Sequence, residues 1–157
     1  MKRKLMLMSP MLHQGGFERV CVITARLLEP YFDITIVIFD SADIAYDVEG
    51  LKIIDIGMGV RKGKVKKLLN IVRRSHRVRQ LKRQMRPDIV YSFGISANLV
   101  NAISRTGAEK IWIGLRSYGD MEERLKLRLF MRRGDLIVCC SRRIEQEINR
   151  KYEYYKT

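Results

Sequence analysis

The residues of this chain that could do chemistry are few, and they follow short apolar runs. His13-Gln14-Gly15-Gly16 comes after the run Leu5 to Met8 and opens a helical pattern. Two glycines let backbone amides approach a ligand closely, and free N–H groups at a helix start favour an anion or a sugar oxygen. A glycine pair that only eases a tight turn would read the same. His13 could contact a polar substrate, whereas His76, the other histidine, lies in a basic helix and reads as a surface residue. Ser92-Phe93 and Arg116-Ser117 follow two further apolar runs. Arg116 could hold a phosphate or carboxylate with two nitrogens, or make an ordinary surface ion pair. No Ser/His/Asp set, no metal-ligand spacing and no G-x-G-x-x-G fingerprint is present, so neither metal nor cofactor is expected. Asp40, although it ends a strand, reads as a turn acid. No residue is identified as catalytic.

Charge is the other chemical signal. The formal net charge is +14 and the pI is near 10.0. Residues 61 to 86 hold twelve Lys and Arg and no acid, and the rest of the chain has nineteen basic against seventeen acidic residues. The anion-facing set is Lys64, Lys66, Lys67, Arg73, Arg74, Arg77, Arg79, Lys82 and Arg83. Solvated amphipathic helices usually mix signs, so an anionic partner is expected here. Membrane lipid attracts basic residues by about 1 kcal/mol each near its surface. Nucleic acid would use the same charge, but no Phe, Tyr or Trp lies between 61 and 86 to stack on bases, so membrane is preferred. The N-terminal apolar run is too short for a signal peptide, and no run reaches the length of a membrane span. Cys21, Cys139 and Cys140 read as buried, reduced thiols of a cytosolic protein.

The elements that must position these residues alternate. Strands are expected at Leu5 to Met8, Ile34 to Phe39, Leu51 to Ile56, Asp88 to Tyr91, Lys110 to Leu115 and Leu136 to Cys140. Helices are expected at Phe17 to Leu28, about Lys64 to Met85, Ile95 to Thr106, Asp120 to Arg133, and from a Ser141 cap to Tyr152. Asp120 with Glu123 has the spacing of a capping box, Gly107 and Gly134 are read as helix closers, and Asp40 to Gly50 is loop-like. In the basic helix, Val65, Leu68, Leu69 and Val72 share one face and Ile71, Val78, Leu81 and Met85 another, which predicts either a bend near Arg73 to His76 or two helices meeting there. One strand per helix implies a Rossmann-like, doubly wound parallel sheet with ligands beyond the strands' carboxyl ends.

The order of motifs resembles the N-terminal, acceptor-side domain of family 4 glycosyltransferases, retaining enzymes with two Rossmann-like domains (the GT-B fold). The matching stretches are Lys4 to Pro10 with Gly15-Gly-Phe-Glu-Arg-Val20, Phe32 to Ile38, Leu51 to Gly57, Arg86-Pro-Asp-Ile-Val-Tyr-Ser-Phe93 and Gly134 to Ser141, covering about residues 4 to 150. The resemblance implies that residues 1–157 form one domain that binds an acceptor sugar or lipid-linked sugar. It also implies that Gly15 and Gly16 line the cleft near a nucleotide-sugar donor's phosphates. Peripheral attachment to the inner face of a membrane is a further implication, in keeping with the basic helix. The family often carries a histidine after the fifth strand where this sequence has Arg116-Ser-Tyr118. Residues 1–157 are expected to lack the family's donor-binding domain, so a donor is expected to need a second domain or subunit. The alternative is a non-catalytic peripheral membrane or nucleic-acid-binding module that keeps the fold.

Overall fold

Continuous aliphatic runs such as Ile34–Ile38 leave no polar side for water, so such a strand needs cover on both faces. The chain, seen here as a computed structural model, is described over residues 2–59, 63–117, 119–122 and 124–152. Its strands are β1 (Arg3–Ser9), β2 (Phe32–Ile38), β3 (Ile53–Asp55), β4 (Ile89–Phe93), β5 (Lys110–Leu115) and β6 (Leu136–Cys139). Its helices are α1 (Gly16–Leu28), α2 (Lys64–Met85), α3 (Ile95–Ile103), α4 (Gly119–Glu122), α5 (Arg124–Arg133) and α6 (Arg142–Tyr152). All strand pairings are parallel, in the order β3-β2-β1-β4-β5-β6. The expected doubly wound α/β domain is what the chain forms.

The side-chain period of two sends alternate residues to opposite layers. Leu5, Leu7, Ile36, Ile38, Tyr91 and Phe93 meet Cys21, Val22 and Ala25 of α1 on one face. Met6, Met8, Val37, Val90, Ile111 and Ile113 meet Val78 and Leu81 of α2, Val100 of α3, Phe130 of α5 and Ile148 of α6 on the other. Because the chain winds outward in both directions from the centre, the strand order reverses between β1 and β4. Their carboxyl ends diverge there and leave a crevice.

Several local expectations change. α2 is one unbroken helix of 22 residues. Its inner face packs on the core, while Val65, Leu68, Leu69 and Val72 stand 72%, 64%, 51% and 59% exposed, so the second apolar face needs no bend to bury it. α3 stops at Ile103, with Gly107 at φ +95° in the loop beyond. Gly134 does not take the left-handed conformation; a Cβ there would lie 2.8 Å from the Phe130 carbonyl, so close approach is what requires glycine. Asp120 caps the amides of Arg116 and Ser117 through Oδ2 at 2.6 and 3.1 Å; Glu123, its expected capping partner, lies outside the described residues. Ser141 Oγ accepts from the Ile144 amide at 3.4 Å at the start of α6. The cysteines are all free, but only Cys21 is buried as expected; Cys139 is half-buried and Cys140 exposed. Among the described residues no helix is long and apolar enough to cross a membrane.

Candidate functional site

Two cavities open at the crevice between the β1 and β4 ends, and they share Phe17, Gly94 and Ile95. The larger, about 580 Å³, is also lined by Gly16 and Val20 of α1, Arg116, Ser117, Asp120 and Cys140. The smaller, about 210 Å³, adds Pro10, Met11, Asp40, Gly59, Arg74 and Ser96. Gly94 adopts φ +80°, and a Cβ on it would touch the Phe17 ring at 3.4 Å. That glycine therefore brings the β4–α3 turn against the start of α1.

The glycine loop is shaped by its neighbours. Gly15 caps α1 in an extended conformation open to any residue (φ −170°), but a Cβ would sit 2.3 Å from Glu18 Oε2. Its amide donates to the Tyr46 hydroxyl at 2.8 Å, and that hydroxyl donates to the Gly15 carbonyl at 2.6 Å. Tyr46 thus takes the bond that Glu18, at the third helical position, would accept in a capping box. Glu18 is 5% exposed, and its Oε2 is buried with no hydrogen bond. Gly16 is exposed and has open space where a Cβ would lie, and its N–H, at the first helical position, has no intrahelical acceptor. His13 is half-buried, with Nε2 unpartnered, and Gln14 is exposed.

Arg116 extends from the end of β5 beneath α1. Its guanidinium lies 5.2 Å from the Phe93 ring centroid and 5.9 Å from that of Tyr91, donates from Nη2 to the Tyr91 hydroxyl, and leaves Nε buried without a partner. Burial pushes the Tyr91 phenol up, and Arg116 opposes it. Burial likewise pushes the Cys21 thiol up, so its deeply placed sulfur is a core group rather than a nucleophile. Ser117 is exposed, and its Oγ accepts from the Asp120 amide at 3.3 Å.

Ser92 and Phe93 are not cleft-lining. Both are fully buried. Ser92 Oγ donates to Asn98 Oδ1 at 2.8 Å and accepts from Asn101 Nδ2 at 3.1 Å, which ties α3 to β4; Asn98 Nδ2 continues the network to the Gly114 carbonyl at 2.8 Å. Phe93 contributes only as the surface beneath Arg116.

The basic helix also divides differently. Lys66, Lys67, Arg73, Arg77, Arg79 and Arg83 are exposed, and the side chain of Lys64 lies outside the described residues. Arg74 and Lys82 are 6% and 2% exposed and belong to the interior. Arg74 Nε donates to the Met58 carbonyl at 2.8 Å, with its guanidinium 4.6 Å over Phe39; burial lowers its pKa while Asp40 opposes that. Lys82 Nζ meets Glu109 Oε1 at 3.0 Å and Asn101 Oδ1 at 2.9 Å. Burial lowers Lys82 to about 8, against the pull of Glu109. Burial works upward on Glu109, but hydrogen bonds from Thr106 and the charge of Lys82 prevail and hold it at about 2, so the pair is ionised at neutral pH. Glu18 and Tyr46 are the site residues sequence reasoning passed over, whereas Asp120, expected as a helix cap, and Arg74, expected in the anion-facing set, both line the cavities. Arg74 and Lys82 carried a signal, since both fall on the stripe of Ile71, Val78 and Leu81.

No protein-family model and no curated protein matches the chain. Solved structures do. The lipopolysaccharide outer core galactosyltransferase WaaB in its apo form superposes with a TM-score of 0.72 at 15% identity, over 95% of this chain and 42% of that one. A UDP-N-acetylglucosamine 2-epimerase gives 0.69 at 11% identity, over 96% and 46%. Anabaena HepE in complex with UDP and glucose gives 0.62 at 15% identity, over 86% and 37%. The chain thus spans less than half the length of each of these proteins. Its fold is that of one Rossmann-like half of a GT-B architecture.

Proposed function

We propose that this chain is the acceptor-side half of a retaining, family 4-like glycosyltransferase. It would transfer a sugar from a nucleotide-sugar donor, bound by a second domain or subunit, to a membrane-associated or polysaccharide acceptor. The observation that carries the proposal is the crevice itself. His13 Nε2, Glu18 Oε2 and Arg116 Nε, three buried polar atoms without partners, belong to the segments that converge at the one edge where doubly wound sheets bind ligands. Likeness to HepE, a structure with UDP and glucose, and to the galactosyltransferase WaaB favours a nucleotide-sugar reaction over other uses of the fold. In this reading the N–H groups of the first turn of α1, which have no intrahelical acceptors, and the positive end of that helix face the donor's phosphates, offsetting the charge that grows on the departing diphosphate. A hydroxyl of the sugar would satisfy Glu18 or His13. Closure of the second domain would exclude water from the cleft.

The test is reconstitution: this domain joined to a donor-binding domain, or mixed with a separate donor-binding subunit, is assayed for transfer from radiolabelled UDP-sugars. Transfer that falls at least about tenfold in Gly16→Val supports the reading. Transfer by the chain alone would overturn the assignment of the donor site elsewhere. Absence of transfer with every complementing domain would overturn the enzyme assignment.

The membrane part of the proposal rests on α2. Four exposed apolar residues on its N-terminal half lie among Lys66, Lys67 and Arg73, and the helix has no acid. Apolar insertion with cationic flanks is how an amphipathic helix lies in a lipid interface. Co-sedimentation with anionic vesicles should be lost in L68E/L69E and weakened by salt, and equal binding to neutral vesicles would count against it.

A further inference from the structure

Gly15 is offered two partners for its amide and holds one. The amide donates to the Tyr46 hydroxyl at 2.8 Å. The carboxyl of Glu18 stands against the same glycine, with Oε2 lying 2.3 Å from where a Cβ would be and making no hydrogen bond. Gly15 is extended at φ −170°, open to any residue, so what demands glycine there is room for that carboxyl. A Glu at the third helical position reaching back to the N-cap amide is the second half of a capping box. The Gly15 carbonyl has a reserve of its own. It accepts from the Tyr46 hydroxyl at 2.6 Å and also from the Arg19 amide at 3.2 Å, the first bond of α1. If Tyr46 withdrew, neither backbone group of Gly15 would be stranded, Glu18 Oε2 would gain the donor it lacks, and the hydroxyl would turn to water.

The segment carrying Tyr46 is built to withdraw. From Ser41 to Gly50 every residue except Tyr46 and Val48 is exposed, and Asp43 takes a left-handed φ of +52°. The Ala45 amide donates to the Leu12 carbonyl at 2.9 Å. Arg26 reaches the Glu49 carbonyl at 2.7 Å and the Asp47 carboxyl at 3.9 Å, both in exposed positions. A segment fastened by a few exposed bonds opens at far lower free energy than the core does.

We infer that residues 41–50 form a strap over the glycine loop, with Tyr46 as its latch and Glu18 as the standby partner that takes the Gly15 amide when the strap lifts. The two arrangements conserve the hydrogen bonds of Gly15. They differ in whether the strap lies across the loop that opens α1 at the crevice, which makes the element bistable. The inference holds whether or not the domain transfers sugar.

The experiment measures amide hydrogen exchange by NMR on the whole chain in four forms: parent, Tyr46→Phe, Glu18→Met and the double variant. Protection of the β1 and β2 amides serves as the check that the fold is kept. Tyr46→Phe hands the Gly15 amide to Glu18, so its exchange should quicken by about tenfold. Glu18→Met alone should leave it unchanged, because Tyr46 still holds the amide. The double variant removes both acceptors and should exchange at least about tenfold faster than Tyr46→Phe, a coupling that two independent structural contacts would not give. Exchange at Ala45, within the strap, should also quicken at least about tenfold in Tyr46→Phe. Should Glu18→Met fail to fold, Glu18→Gln replaces it: a Gln oxygen can still accept, so Tyr46→Phe/Glu18→Gln should protect Gly15 as well as Tyr46→Phe does. A double variant with Met no faster than Tyr46→Phe would overturn the inference, as would a Gly15 amide that the Gln variant leaves unprotected. Unchanged exchange at Ala45 in Tyr46→Phe would equally overturn it, since Tyr46 would then latch nothing.

Discussion

The two edges of the sheet treat their polar groups in opposite ways. At the edge where strands begin, the buried ions Lys82 and Glu109 satisfy each other, and half-buried and exposed groups nearby are bonded as well. Lys82 pairs with Glu109, Arg105 Nη2 meets Asp135 Oδ1 at 3.1 Å, Asp135 Oδ2 also accepts from the Ile111 amide, and Asp88 Oδ2 accepts from the Lys4 amide at 2.7 Å. At the edge where strands end, His13, Glu18 and Arg116 each keep a buried atom without a bond. The first edge closes the domain by completing its own valences. The second leaves three of its own open, beside two others on the described helices, Ser75 Oγ of α2 and Asn149 Oδ1 of α6; an unsatisfied group at a strand end is where a ligand can complete it.

The contrast can be broken most forcefully at the closed edge. Glu109→Gln strands the Lys82 ammonium and should cost about 3–5 kcal/mol in urea unfolding, whereas the double change Lys82→Met with Glu109→Leu should recover much of that. A loss under about 1 kcal/mol for the single variant would show that the edge is not closed by this pair. The same carboxylate sets an acid limit. Its folded pKa of about 2 lies below the 4.5 of the unfolded chain, so its contribution is complete above 4.5 and vanishes as pH falls from there toward 2. Thermal melts from pH 6 to 2.5 should show that decline in the parent chain and much less of it in Glu109→Gln. At the open edge effects shrink and then change sign. Tyr46→Phe removes both hydrogen bonds to Gly15 and should cost about 1–2 kcal/mol, with faster amide exchange at Gly15. Glu18→Gln replaces a buried carboxyl whose Oε2 has no hydrogen bond by a neutral amide and should raise stability by up to about 1 kcal/mol while lowering ligand binding; a clear loss of stability would mean that Glu18 is structural.

The alternation of strands and helices was legible because apolar runs and caps are local properties. The β-branched run of Ile34–Ile38 and the glycine pair after β1 each pointed to their elements. Boundaries moved by a few residues where pairing decided them: β4 extends to Phe93 because β5 offers Gly114 opposite it, and β3 keeps three residues because its only neighbour is β2. Which polar residues turn inward was harder to read. Ser92 follows a strand and looked like a ligand contact, yet Asn98 and Asn101, six and nine residues on, draw it into the core. Arg74 and Lys82 disappeared into the charge of α2 because composition is blind to which face a cation occupies. Tyr46 sits in an acidic loop and meets Gly15 across 31 residues, a contact no local pattern announces.

The unbroken course of α2 makes it a lever. At 22 residues it runs roughly 33 Å. Its far end is pinned through Lys82, and nearer the crevice Arg74 and Asn70 grip the carbonyls of Met58 and Gly59 beside the smaller cavity. Anything that tilts the rod from outside must drag that loop with it. A ligand seated in the smaller cavity and a surface bound along the exposed stripe would then alter each other's affinity by one and the same factor, a symmetry measurable from either side.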